Sequence, residues 1–260
     1  MQIRIALELE QWFDAYTRPY LDGGTGAYLL RHKYSHSRRV ADEMAGLAAD
    51  LGLPEGEVRM ARTLGLLHDV GRFTQFRQYG TLRDAQSVNH AREGVRVLGE
   101  AGILAACEDG DRERLLAGVG HHNARAVPEG LDDPTRRWVC LIRDADKLDI
   151  MASLYEAWRR DEIRKFPELT LGIDLAGGVS EPVLAAIRAR RLVAYRQIRS
   201  LADFYLTQVS WVYDLNVRPA FRRLVDRRLL EQVAETLPDD PAVREVVAEA
   251  RAYAEARLEA

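Results

Sequence analysis

Hydrophobic positions recur along this chain every three to four residues, the spacing of an amphipathic helix, and Gly or Pro breaks the pattern between runs. The pattern predicts a first helix over residues 3 to 18, stopping around Pro19, and a flexible loop at LDGGTG (21–26). A second helix is predicted over 27 to 51, with an inward stripe of Leu29, Lys33, His36, Val40, Met44, Leu47 and Leu51. Gly52 and Pro54 supply its stop. A third runs from about 55 to 69 and closes at Gly71. RFTQFRQYGTLRDAQS (72–87) has no clear period and reads as a loop. Further helices are expected at 88–101 and 110–121. Asp133 reads as an N-cap with Pro134 at the first helical position, opening a helix to about 160. Residues 161–180, with Pro167 and Gly177-Gly178, read as mostly irregular. Helix resumes after Ser180 and again after Asp240-Pro241. No stretch reads as a sheet and no repeat appears, so the expected fold is all-α, a single domain over 1–260.

Composition narrows the function classes. In 260 residues, 37 Lys and Arg face 40 Asp and Glu, a net charge of −3 without the basic excess of a nucleic-acid binder. No apolar run approaches the roughly 18 residues that cross a bilayer. Glu8 and Glu10 interrupt the place where a signal peptide would be apolar. Cys107 and Cys140 are too few and too far apart for a disulfide framework or a CxxC site. A reduced, cytoplasmic chain is expected, with no nucleic-acid or membrane partner.

The histidines change the picture. All six (His32, His36, His68, His90, His121 and His122) fall between residues 32 and 122, and the last 138 residues have none. His36 lies within an apolar stripe, His68-Asp69 follows Leu64, Leu66 and Leu67, and His90 leads an inward stripe. DADKLDI (144–150) puts three carboxylates on an apolar helix. Buried carboxylates need a partner, and one divalent cation shared with inward imidazoles would compensate the whole set. Imidazole nitrogen with carboxylate oxygen suits Fe, Mn, Co, Ni or Zn better than Mg or Ca. Asp69 has a second oxygen with which to bridge, so His90 and the His121-His122 pair could hold a second ion. Spacing leaves Asp144 and Asp146 equivalent as the last ligand.

HSRRVA (36–41), LLHDVGRF (66–73) and RDADKLD (143–149) together resemble the H…HD…D motif of the HD-domain superfamily of metal-dependent phosphohydrolases. The resemblance covers about residues 27–160 and implies an HD-type helical bundle with additional C-terminal helices over about 180–260. It implies His36, His68, Asp69 and Asp146 as ligands of a first metal, favouring Asp146 because the family's last ligand commonly begins an Asp-Lys or Asp-Arg step. The extra histidines His90, His121 and His122 resemble the dinuclear subset that includes the HD-GYP cyclic-dinucleotide phosphodiesterases. The GYP signature is absent, however, and Arg72 stands where Lys is usual, so cyclic-dinucleotide specificity is not implied. His32 falls where some relatives have another acidic ligand.

The expected activity is hydrolysis of a phosphate ester, mono- or diester, of a nucleotide or small phosphorylated metabolite. The attacking group would be hydroxide generated on one or two divalent transition-metal ions, with Asp69 as bridge and orienter. Arg72 and Lys147 would contact the phosphate. A di-iron oxygenase of the same superfamily and a non-catalytic nucleotide-binding sensor are the alternatives. Phe204, Tyr205, Trp211 and Tyr213 read as core, and the Arg-rich runs at 188–199 and 222–228 as solvated faces.

Overall fold

The computed structural model describes residues 1–23, 26–165, 173 and 176–259, with backbone alone at 164–165. Pro167 and part of the 21–26 loop therefore lie outside the described residues. Among those described, the secondary structure is helical and no strand occurs, an all-α fold. The chain divides into two compact units, Met1–Asp146 and Lys147–Ala260.

The first unit contains α1 (Ile3–Leu21), α2 (Ala27–Asp50), α3 (Glu55–Leu67), α4 (Gly71–Tyr79), α5 (His90–Ala101), α6 (Asp109–His121) and the first half of α7 (Asp133–Arg159). Each buries the stripe its sequence spells out. On α2 the buried side chains include Leu29, His36, Val40, Met44 and Leu47, and on α3 Met60, Leu64 and Leu67. These two helices approach closely because Gly65 has no side chain; a Cβ there would lie 2.7 Å from the Ala41 Cα and the Val40 carbonyl oxygen.

Three boundaries differ from expectation. Helix α1 continues through Pro19 to Leu21. Proline near a helix end removes few hydrogen bonds, and here the last turn is held by rings, with Tyr20 against Tyr16 at 5.4 Å and Phe73 at 5.6 Å. The segment read as a loop over 72–87 instead contains α4 and a 3₁₀ turn at Asp84–Gln86. Helix α4 is weakly amphipathic, so its period carried no signal; tertiary contacts fix it. Phe73 is fully buried against Phe13, Tyr16 and Tyr20, and Gly71 lets α4 meet α5, where a Cβ would sit 2.2 Å from the His90 carbonyl oxygen. At α7 the capping side chain belongs to Asp132, whose Oδ1 accepts from the Thr135 amide at 2.8 Å, one residue before the expected Asp133.

The second unit holds the end of α7, then α8 (Glu162–Lys165), α9 (Glu181–Arg188), α10 (Leu201–Ser210), α11 (Arg218–Asp226), α12 (Leu229–Glu235) and α13 (Pro241–Glu259). Tyr205 is buried with Leu154, Ala157 and Ile163, and Phe204 packs against that cluster. Tyr213 packs edge-on against Tyr253. Within the described residues, no helix is long and apolar enough to cross a membrane.

Candidate metal centre

Side chains from α2, α4 and α7 and from the ends of α3, α5 and α6 converge on one carboxylate. Asp69 lies in the turn between α3 and α4, where the Arg72 amide donates to its carbonyl at 2.9 Å, and its side chain is 2% exposed. Its two oxygens face different partners. Oδ2 lies 3.8 Å from His36 Nε2 and 3.7 Å from His68 Nε2, while Oδ1 lies 3.5 Å from His90 Nε2 and 3.6 Å from His122 Nε2. Two buried triads able to hold an ion result, His36–His68–Asp69 and Asp69–His90–His122. Asp146, from α7, adds Oδ1 at 3.0 Å from His36 Nε2 and 3.8 Å from His68 Nε2. Asp144 is buried on the same helix.

The imidazoles are oriented from behind. His68 Nδ1 donates to the Gly65 carbonyl at 2.7 Å and His122 Nδ1 to the Val119 carbonyl at 2.8 Å. His90 Nδ1 donates to Asp84 Oδ2 at 2.7 Å. With Nδ1 protonated in each ring, the neutral form leaves a bare Nε2 lone pair pointing inward, the arrangement metal-ligating histidines use. Burial pushes His68 down to about 4, with Asp69 and Asp146 opposing. Burial and then Arg72 push His90 down to about 3, against the pull of Asp84 and Asp69. Both rings are therefore neutral at pH 7. Yet His90 Nε2 and His122 Nε2 stand only 3.0 Å apart, and His36 Nε2 and His68 Nε2 3.3 Å apart.

The carboxylates are ionised. Burial alone would raise Asp69, but Lys33, His68, His122 and Arg72 outweigh it and hold the carboxyl well below its usual range. Asp146 is likewise raised by burial and lowered further by His36, His68 and His122, for a net fall. Asp69 Oδ1 and Asp146 Oδ1 are both buried without a hydrogen-bond donor in bonding geometry. Inward lone pairs on nitrogen and oxygen, short of donors and densely packed, are the donor set that a divalent transition metal satisfies. The residues present fit the group.

The family model for the HD domain matches residues 34–151, a span that contains His36, His68, Asp69, His90, His122 and Asp146. Over those residues the chain is similar to the HD domain. No curated protein and no solved structure gives a match. The HD domain with its buried His/Asp cluster supports metal-dependent chemistry of the hydrolase type.

Other expected site residues fall elsewhere. His121 is no part of either triad. Successive helical residues point about 100° apart, and on α6 the buried line is Leu115, Gly118 and Val119, which His122 continues, so His121 turns outward into a groove. His32 is also outside both triads. Arg72 reaches the cluster with Nε, 3.5 Å from Asp69 Oδ1, but its Nη1 donates to the Leu82 carbonyl at 2.6 Å and to Asp84 Oδ1 and Gln75 Oε1 at 3.0 Å each. Its Nη1 braces the connector that carries Asp84, while its Nε is buried without a hydrogen-bond partner. Lys147 pairs with Asp214 Oδ2 at 2.8 Å inside the second unit, so its ammonium already has a carboxylate.

Two residues escaped sequence reasoning as functional groups. Lys33 Nζ donates to Asp69 Oδ2 at 2.8 Å; its place in the apolar stripe of α2 was the available signal. Asp84 accepts from His90, Arg72, Gln75 (2.9 Å) and Asn123 (3.2 Å). Burial raises its carboxyl, and His90 and Arg72 bring it down to about 2. Nothing in a stretch without period distinguished Asp84.

Proposed function

We propose that this HD domain is a metal-dependent phosphohydrolase acting on a phosphate ester of a nucleotide or small phosphorylated metabolite. The observation that carries this reading is the split allegiance of Asp69, one oxygen toward His36 and His68 and the other toward His90 and His122. A bridging carboxylate between two imidazole sets suits a pair of ions. His36, His68, Asp69 and Asp146 would hold one, and Asp69, His90 and His122 the other; Fe, Mn, Co, Ni and Zn match the donors. Divalent cations there would lower the pKa of a shared water toward neutrality and neutralise phosphoryl charge.

The chain's own groups do the rest. Gly65 and Val119 carbonyls and the Asp84 carboxylate keep three rings in one tautomer, so no reorganisation is needed when ligands bind. Lys33 fixes a positive charge beside Asp69 Oδ2, keeping that carboxylate ionised. Arg72 holds Asp84, and through it His90. Asp146, with its side chain 19% exposed against 2% for Asp69, marks the more open edge of the cluster. Two buried cysteines that form no disulfide accord with a reducing, cytoplasmic setting.

The test is phosphate release from a panel of phosphate mono- and diesters by protein loaded with Mn or Fe. Release that vanishes in Asp69→Ala supports the reading. Oxygen uptake with no ester cleavage would transfer the centre to oxygenase chemistry, and tight nucleotide binding without turnover would make it a sensor.

A further inference from the structure

Helix α7 buries a charged group besides its carboxylates. Arg143 stands among Val139, Leu141, Ile142 and Ala145, all buried, and is itself 3% exposed. A guanidinium taken out of water must find acceptors for its N–H donors. Arg143 Nη1 finds them in the backbone: it donates to the Ala124 carbonyl and, at 3.5 Å, to the His122 carbonyl. Both belong to the turn in which the chain leaves α6, where the Ala124 amide closes on the His121 carbonyl at 3.1 Å. A helix C-terminus leaves carbonyls unpaired and concentrates negative partial charge, which a cation satisfies. The end of α6 has particular need of this brace, because Gly118 and Gly120 give its last turn little intrinsic helical preference.

The braced turn is short but carries much of one half of the metal centre. His122 begins it, with Nε2 3.6 Å from Asp69 Oδ1. Asn123 follows, donating Nδ2 to Asp84 Oδ2 at 3.2 Å, and Asp84 holds His90 Nδ1 at 2.7 Å. Both imidazoles of the Asp69–His90–His122 triad therefore depend on where this turn sits. At the other end of the link, Arg143 is anchored about one helical turn before Asp146, whose Oδ1 lies 3.0 Å from His36 Nε2. One turn of α7 thus presents a donor to the first half of the centre and grips the backbone of the second.

We infer that Arg143 is a positioning residue that sets the His90–His122 half of the centre relative to the His36–His68 half. It acts through the backbone of the 122–124 turn, and so through His122 and Asn123. A pair of ions that share a bridging ligand works only at a set separation, so a group spanning both halves bears on it directly. This rests on the centre holding two ions, but the role of Arg143 can also be read from the imidazoles alone.

The experiment compares three forms of the 260-residue chain, each stripped of metal. They are wild type, Arg143→Met, which keeps the bulk but deletes the charge and donors, and Arg143→Lys, which keeps the charge on a single-point donor. Calorimetric titration with Mn²⁺ measures each binding step, and ¹⁵N NMR of the imidazole nitrogens reads each ring's tautomer. In wild type, His68 and His122 should both be protonated at Nδ1. Arg143→Met should bind one Mn²⁺ as wild type does and the other about ten- to hundredfold more weakly. Its His122 ring should pass to mixed tautomers while His68 stays unchanged. Arg143→Lys should fall between the two, and decides alone if Arg143→Met does not fold. Variants indistinguishable from wild type would overturn the inference. So would His68 and His122 disturbed together, which would make Arg143 a general core brace. Wild type that takes up one Mn²⁺ or none would reject the two-ion reading, and the His122 signal would still decide the role of Arg143.

Discussion

The two halves of the metal centre share Asp69 but are built differently. The His36–His68 half takes its donors from long regular elements, α2, the end of α3 and α7, and receives a second carboxylate, Asp146, 3.0 Å from His36 Nε2. The His90–His122 half has Asp69 Oδ1 as its carboxylate, and its donors sit at helix ends, at the start of α5 and just after α6. Order there comes from behind, through Asp84, which joins His90 to Arg72, Gln75 and Asn123. One half is positioned by helix packing, the other by a polar network on a short connector. Removing Asp69, the ligand common to both, should therefore injure both halves alike, whereas weakening the network should injure one.

The largest effect is expected where the halves meet. Asp69→Ala removes the donor common to both and should abolish bound metal and lower ester hydrolysis by about three orders of magnitude, measured by elemental analysis and steady-state kinetics. Next, His68→Ala and His122→Ala should each cost one ion of the pair, whereas His121→Ala should keep the wild-type metal content; equal losses at His121 and His122 would contradict the assignment. Asp84→Asn is a finer tool. It keeps an acceptor for His90 but deletes the charge, and should weaken one ion of the pair about ten- to hundredfold while the other binds as before. A uniform loss of both would mean the network serves the whole centre.

Acidification gives the smallest and most graded effect. His68 and His90 titrate at about 4 and about 3 in the folded protein, against about 6.5 when unfolded. The unfolded chain thus binds more protons below pH 6.5, so their contribution to stability is complete above that value and is lost as pH falls toward 3. Asp84, lowered to about 2, acts in the same direction from about pH 4 downward. In chelator, the Tm should fall steadily from pH 6.5 to 4. Wild type should be more acid-sensitive than His90→Gln, which removes one of the two groups; an identical slope would contradict the burial of a neutral ring.

The same contrast explains what the sequence made legible. His36, His68, His90 and the DADKLD run (144–149) stood out because each breaks an apolar stripe of fixed period, and a helix turns a stripe into a direction. The choice between His121 and His122 needed the phase of α6, which Gly118 and Gly120 leave weakly marked. For Arg72 and Lys147 the chain's local pattern gives no sign of Asp84 and Asp214, the carboxylates they pair with, which lie 12 and 67 residues away. Helix α4 and Asp84 carry no local signal for a related reason: Phe73 and Asp84 acquire their roles through residues brought from α1, α5 and the turn after α6. Local pattern encodes the elements and the faces they bury, but not which polar group answers which across them.

Metal content per chain, determined by elemental analysis and placed by anomalous scattering, tests the central claim most directly. Two transition-metal ions per chain, one on each side of Asp69 with His36 and His68 on one and His90 and His122 on the other, is the predicted result. A centre that binds no transition metal, or binds a single ion that Asp69 does not touch, would contradict it.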